Sequence, residues 1–177
     1  AGENLEIELA IPPGGLTIMA NFELGEPPES ASASIGISSN VIFDFACSDD
    51  KSVYVGVGEN GAVIRSGDAG QTWTQYWAGI HAQAVAYGNG KFVAVGDKIA
   101  VSADGGDWTT MPLEVEDGQL HGITYGDIEG GGSFVAIGMF GDDYYIFTSA
   151  DGVDWTEQAA PEGGLCHDVA AGDNRFV

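Results

Sequence analysis

Few residues of this 177-residue chain have the type and spacing to do chemistry. Histidine is the side chain that changes charge near neutral pH and ligates metals most often. Of the three here, His121 and His167 stand at corresponding points of a repeat, with Gln83 at a third. Cys166 and His167 are adjacent, but neighbours on a strand point to opposite faces, which argues against a local nucleophile–base dyad. "GVGENG", Gly56–Gly61, fits the dinucleotide fingerprint G-x-G-x-x-G. That fingerprint works only when a helix N-terminus follows to meet the pyrophosphate. Here "AVIRS" follows, a strand, and Asn60-Gly61 reads as a hairpin tip. Asp49-Asp50, Asp142-Asp143 and the run Glu114–Asp117 lack the spacing of a calcium loop and read as solvated loops. No G-x-S-x-G elbow occurs, and 27 acidic residues make pairing carboxylates for glycoside cleavage guesswork. No catalytic residue, metal or cofactor is expected from these motifs.

Composition narrows the partners. The chain carries 27 acids against five bases, a net charge of −22. Lys51, Arg65, Lys91, Lys98 and Arg175 cannot form the basic face that displaces counterions from phosphates, so nucleic acid is excluded, and anionic membrane surfaces are disfavoured. No apolar run approaches the roughly twenty residues of a membrane helix. Two cysteines, Cys47 and Cys166, suggest neither a disulfide scaffold nor a zinc site, and whether they pair stays open. Hydrophobic residues at 44% allow a sizeable core, and 28 glycines point to a turn-rich β protein. The chain starts at Ala1 with no recognisable signal peptide, which suggests a processed or cloned start.

The elements that must position these residues come from a repeat. "VAYGNGKFVAVG", Val85–Gly96, returns as "ITYGDIEGGGSFVAIG", Ile123–Gly138. It appears earlier as "FACSDDKSVYVGVG", Phe45–Gly58, and opens again as "VAAGDNRFV", Val169–Val177. Gly58, Gly96 and Gly138 are 38 and 42 residues apart. Each unit reads as a first strand, a tight turn, a second strand such as Phe92–Val95, a third such as Ile99–Ser102, and a fourth begun by Trp108–Met111. Four short antiparallel strands in about forty residues is the size of a propeller blade.

Between third and fourth strands lies "SGDAGQTWT" at 66–74, "SADGGDWT" at 102–109 and "SADGVDWT" at 149–156. The Asp carboxylate can accept backbone N–H groups of the following turn, the Gly supplies a positive φ, and the Trp buries its ring. Ser66, Asp68, Gly70 and Trp73, then Ser102, Asp104, Gly105 and Trp108, then Ser149, Asp151, Gly152 and Trp155 are therefore read as structural. These stretches resemble Asp boxes, the Ser-x-Asp-x-Gly-x-Thr-Trp repeats of the sialidase-like β-propeller superfamily. The resemblance covers about residues 41–177. It implies structural hairpins on the blade periphery, away from any catalytic centre. Enzymes of that superfamily clamp a substrate carboxylate with three arginines and use a Tyr–Glu nucleophile pair. This chain has only Arg65 and Arg175, so the segment cannot assemble that clamp.

The expected fold is all-β: a propeller of four-stranded antiparallel blades, three plus the start of a fourth in an incomplete ring, preceded by a small β module. Blades are expected at 41–78, 79–115, 116–160 and, in part, 161–177. Residues 1–40 read as two alternating strands around Pro-Pro-Gly-Gly and a Pro/Ser/Ala linker; pairing of those strands with the propeller edge is the alternative. Six blades would need roughly 240 residues, so a longer parent chain is expected. Two residues before each first-strand landmark stand Phe43, Gln83, His121 and His167. First strands line a propeller's channel, which makes Gln83, His121 and His167 the binding candidates at its mouth. Tyr76 and Trp77 could stack on a sugar or pack between blades.

The expected function is a non-enzymatic binding or structural module, contacting protein or glycan as part of a larger assembly. Similar tandem arrays occur in bacterial surface proteins and in phage tail or fibre proteins, which implies an extracellular, cell-surface or virion-surface location. The alternative is a glycan-acting hydrolase whose catalytic residues lie outside this segment. A third reading, an assembly factor similar to the photosystem II propellers, is disfavoured by the missing basic patch.

Overall fold

The computed structural model describes residues 40–111, 118–128, 131–141, 143–159, 167–173 and 175–177. Of the N-terminal strands and linker read at 1–40, residues 1–39 lie outside the described residues, as does Cys166. Among the described residues every regular element is a strand, apart from one 3-10 turn at Glu59–Gly61.

Three successive four-stranded antiparallel meanders are followed by a two-stranded hairpin, the partial fourth blade. The first blade holds β1 (Ile42–Cys47), β2 (Tyr54–Gly58), β3 (Ala62–Ser66) and β4 (Thr74–Trp77). The second holds β5 (Ala82–Gly88), β6 (Lys91–Gly96), β7 (Ile99–Ser102) and β8 (Thr109–Met111). The third holds β9 (Gly118–Ile128), β10 (Gly131–Phe140), β11 (Asp143–Ser149) and β12 (Thr156–Gln158). The hairpin pairs β13 (Ala171–Gly172) with β14 (Arg175–Phe176).

The local causes are visible in the turns. Asn89 and Gly90 take φ of 47° and 72°, the two left-handed positions of a type I′ hairpin, so β5 and β6 follow one another with matched twist. The "GVGENG" stretch is the end of β2 and the turn to β3, with no α-helix to receive a phosphate.

Alternation along each strand gives a blade two apolar faces, and the faces that meet between successive blades form two cores. Between the first and second blades lie Val55, Val57, Val63, Ile80, Val85 and Phe92. Between the second and third lie Val93, Val95, Ile99, Leu120, Phe134 and Phe147. Phe92 and Phe134, equivalent in the repeat, are each covered by the tyrosine of their own first strand, with ring centroids 4.7 Å apart for Tyr87–Phe92 and for Tyr125–Phe134. Gly88 sits directly beneath the Tyr125 ring of the next blade, where a Cβ would overlap the ring. The chain is a β-propeller segment of three blades and part of a fourth.

Candidate functional site at the bulged ends of the first strands

The Ser-x-Asp turns are built alike. Gly70 N donates to Ser66 Oγ, Gly105 N to Ser102 Oγ and Gly152 N to Ser149 Oγ, each at 2.8 Å. Trp73, Trp108 and Trp155 each donate Nε1–H to the carbonyl of that same glycine at 3.1 Å. The carboxylates face the turn: Asp104 Oδ1 accepts from Gly106 N and Asp107 N, and Asp151 Oδ1 accepts from Val153 N and Asp154 N. In the first turn Asp68 instead accepts Thr72 N at 2.8 Å and Thr72 Oγ1 at 2.6 Å. Its extra residue is absorbed before the glycine, where Ala69 takes φ of 57°. These donors, first the Thr72 hydroxyl and then its N–H, hold Asp68 down to about 2, and N–H donors lower Asp104 and Asp151 in the same direction. Every one of these aspartates is occupied within its own turn.

The opposite end of the strands is different. In each first strand the ladder skips one residue: β1 pairs through Ile42 and Asp44, β5 through Ala82 and Ala84, and β9 through Leu120 and Gly122. The skipped residues are Phe43, Gln83 and His121. Each bulge brings the chain so close to the second strand that a Cβ on Gly58, Gly96 or Gly138 would overlap a backbone carbonyl, that of Val41, His81 or Gln119. The landmark glycines and the aligned polar positions are thus two sides of one device.

The same end of the blades carries exposed apolar side chains. Phe43 is 43% exposed, Val41 44%, Met139 40% and Trp77, at the end of β4, 57%. His121 and Met139 line a shallow recess of about 380 Å³ with Gly118, Gln119 and Gly141. Gln83 is half-buried and His121 exposed. His167 is exposed and precedes β13, but the hairpin's ladder does not reach it, so no bulge sets its position. Sequence reasoning missed His81. Its ring lies 5.9 Å from that of Phe43, its Nδ1 accepts from Asn60 N at 3.4 Å, and its own N–H donates to Asp97 Oδ1 at 2.8 Å. It falls in a connection between blades, where the repeat gives no signal. Tyr76 packs between blades, against the Gly106 turn and the first interblade core, whereas Trp77 faces solvent.

The first strands also contact one another. Asp44 reaches across to the second blade, where its Oδ2 accepts Val85 N at 2.9 Å while its Oδ1 accepts Phe45 N at 2.8 Å. Burial, the largest influence, raises Asp44 above the ordinary carboxylate value; the two N–H donors oppose this, and the charge of Asp168 adds a smaller upward push. Cys47 is a free, half-buried thiol. Among the described residues no helix is long and apolar enough to cross a membrane, and no three potential ligands cluster for a metal.

Radial meanders packed through their first strands define the β-propeller class. No protein-family model matches the chain, and no curated protein matches it. Solved structures do. The chain is similar to YCF48 bound to D1 peptide at 21% identity and a TM-score of 0.50, over 66% of this chain and 38% of that one. It is similar to YCF48 from Cyanidioschyzon merolae at 21% identity and a TM-score of 0.52, over 67% and 37%. It also matches the crystal structure of the computationally designed Ika4 protein at 12% identity and a TM-score of 0.61, over 85% and 91%. The matched part of the chain spans less than two fifths of either YCF48 structure. At these identities the likeness is one of fold.

Proposed function

We propose that this chain is a non-catalytic binding module whose bulged end takes an extended segment of another protein. One observation carries the reading. Three successive first strands hold an off-ladder residue, Phe43, Gln83 or His121, at the end of the fold that also carries exposed Val41, Trp77 and Met139. Residues outside a ladder are free to recognise a partner while the paired strands keep them in place. A net charge of −22 selects partners carrying Lys or Arg next to apolar side chains. The similar YCF48 structure holds a peptide, which supports a protein partner. We place the module at a cell or virion surface on the resemblance of its tandem turns to arrays in such proteins. The exposed indole of Trp77 favours glycan as the second reading, since an indole face stacks on a sugar ring.

Peptide and glycan arrays probed with the whole chain test this. Binding to basic, apolar-anchored peptides is expected, weakened about tenfold or more, roughly 1.4 kcal/mol, by Phe43→Ala, Trp77→Ala or His121→Ala. Glycan binding without peptide binding would establish the second reading. Turnover of a fluorogenic glycoside, abolished by one carboxylate substitution, would overturn both.

A further inference from the structure

Neighbouring blades meet at a groove that the repeat builds twice, at the hairpin end of the fold, opposite the bulges. Between the second and third blades its lining is Gly88 and Lys91, paired across the β5–β6 turn, with Tyr125, Phe134, Ala150 and Asp151 from the third blade. Lys91 crosses this groove. Its Nζ donates to the Asp151 carbonyl at 2.9 Å, beside the Asn89 Nδ2 bond to the Ala150 carbonyl at 3.2 Å.

Between the first and second blades the equivalent positions are Ser48, Val53, Tyr87, Phe92, Ala103 and Asp104, and all six line a recess of about 340 Å³. The correspondence is one of register. Ser48 N donates to the Val53 carbonyl across the first turn as Gly88 pairs with Lys91, and Tyr87 covers Phe92 as Tyr125 covers Phe134. Val53 thus stands where the second blade has Lys91. The bond to the Asp104 carbonyl comes instead from Arg65 Nε in β3, at 2.6 Å, at the position of Val101 in the second blade. The cation has moved one strand along, and the short valine leaves the groove open. Asp49 and Asp50, from the longer first turn, complete its lining. Burial and then the charges of these two aspartates raise the Tyr87 hydroxyl above its ordinary value. Lys51, at the tip of that turn, is exposed and does not line the recess.

We propose that this recess binds an alkylammonium group, the lysine side chain of another polypeptide, in the place that Lys91 takes one groove further on. The methylene stem lies along Val53 and the Tyr87 ring, and the ammonium meets the Asp104 turn and the carboxylates of Asp49 and Asp50. The molecule itself identifies the ligand, since the second copy of the groove already holds an ammonium on the matching carbonyl. The site lies at the other end of the strands from Phe43, Gln83 and His121 and does not depend on the role proposed for them.

Isotope-edited NMR of the 177-residue chain in salt of about 0.15 M tests this, with Nα-acetyl-lysinamide as probe and its norleucine analogue, which lacks the ammonium, as control. Saturable shifts at the amides of Asp104, Gly105 and Gly106 are expected, with a dissociation constant of about 1 to 10 mM, and none from norleucine. Val53→Lys should abolish them, because the chain then supplies the side chain itself, and Asp49→Asn should weaken binding about threefold or more. Lys91→Ala opens the second groove and should add a matching set of shifts at Gly152 and Val153. Phe43→Ala should change nothing, which separates this site from the face proposed above. A lysine within a short peptide should bind more tightly than spermidine; the reverse order would overturn the assignment to a protein side chain. Shifts that never saturate, that norleucine reproduces, or that survive Val53→Lys would overturn the site altogether.

Discussion

A carboxylate that accepts two backbone N–H bonds is held in its charged form, and three aspartates of this fold are held so, one with a hydroxyl in place of the second N–H. The consequence for stability has a definite sign. Asp68, at about 2, and Asp104 and Asp151, also lowered, bind protons less readily when folded than at their ordinary 3.8. Their contribution is present above about pH 4 and is lost as pH falls through the folded values. Asp44 works the other way, because its burial cost is relieved on protonation, and it softens the loss. The thermal midpoint should therefore fall between about pH 4 and pH 2, and less steeply in Asp68→Asn, as a calorimetric pH series would show. Trp155, partly buried against Phe134 with ring centroids 6.5 Å apart, should cost about 3 kcal/mol when replaced by Ala. Trp155→Phe should cost about 1 kcal/mol for the lost indole bond alone, a difference that denaturant titration resolves. The serine, aspartate, glycine and tryptophan of these turns were readable beforehand because turn chemistry is local. His81 was not, since its partners, Phe43 and Asn60, come from the first blade.

At the scale of the element, the bulge explains why the landmark glycines recur. Gly96 opposes the point where β5 carries one residue too many, and the His81 carbonyl fills the space of a side chain there. Gly96→Ala should destabilise by about 2 kcal/mol, whereas Gly90→Ala, at an open turn with φ of 72°, should cost about 1 kcal/mol from backbone strain alone. Equilibrium unfolding of the two variants separates overlap from strain. The sequence showed strands, order and hairpins through alternation and Asn-Gly, and β7 at Ile99–Ser102 matches its expected span. It did not show that Phe43, Gln83 and His121 are bulged. A bulge leaves the apolar pattern on either side intact, so only the ladder reveals the skipped residue. First strands also run longer than their apolar stretch: β5 spans Ala82–Gly88, because the paired backbone continues through alanine and glycine.

For the whole molecule, the opposing terms are interblade packing and charge. A net charge of −22 repels itself, while the two interblade cores are insensitive to salt. Raising salt from about 0.01 to 0.15 M shortens the screening length from roughly 30 Å to 8 Å, so the thermal midpoint should rise by several degrees, measurable by scanning calorimetry. Blade architecture was legible because the repeat states it several times over. The contact between Asp44 and the second blade was not, for it joins residues 41 apart and has no counterpart at Ala84 or Gly122.

The skipped residue in each first strand has one more consequence. Its side chain can be exchanged without disturbing a backbone pair, so, on the binding role proposed above, changing these three positions should alter selectivity at little cost to folding. Randomising Phe43, Gln83 and His121 together would turn this acidic scaffold into a library whose members share one melting profile and differ in what they hold.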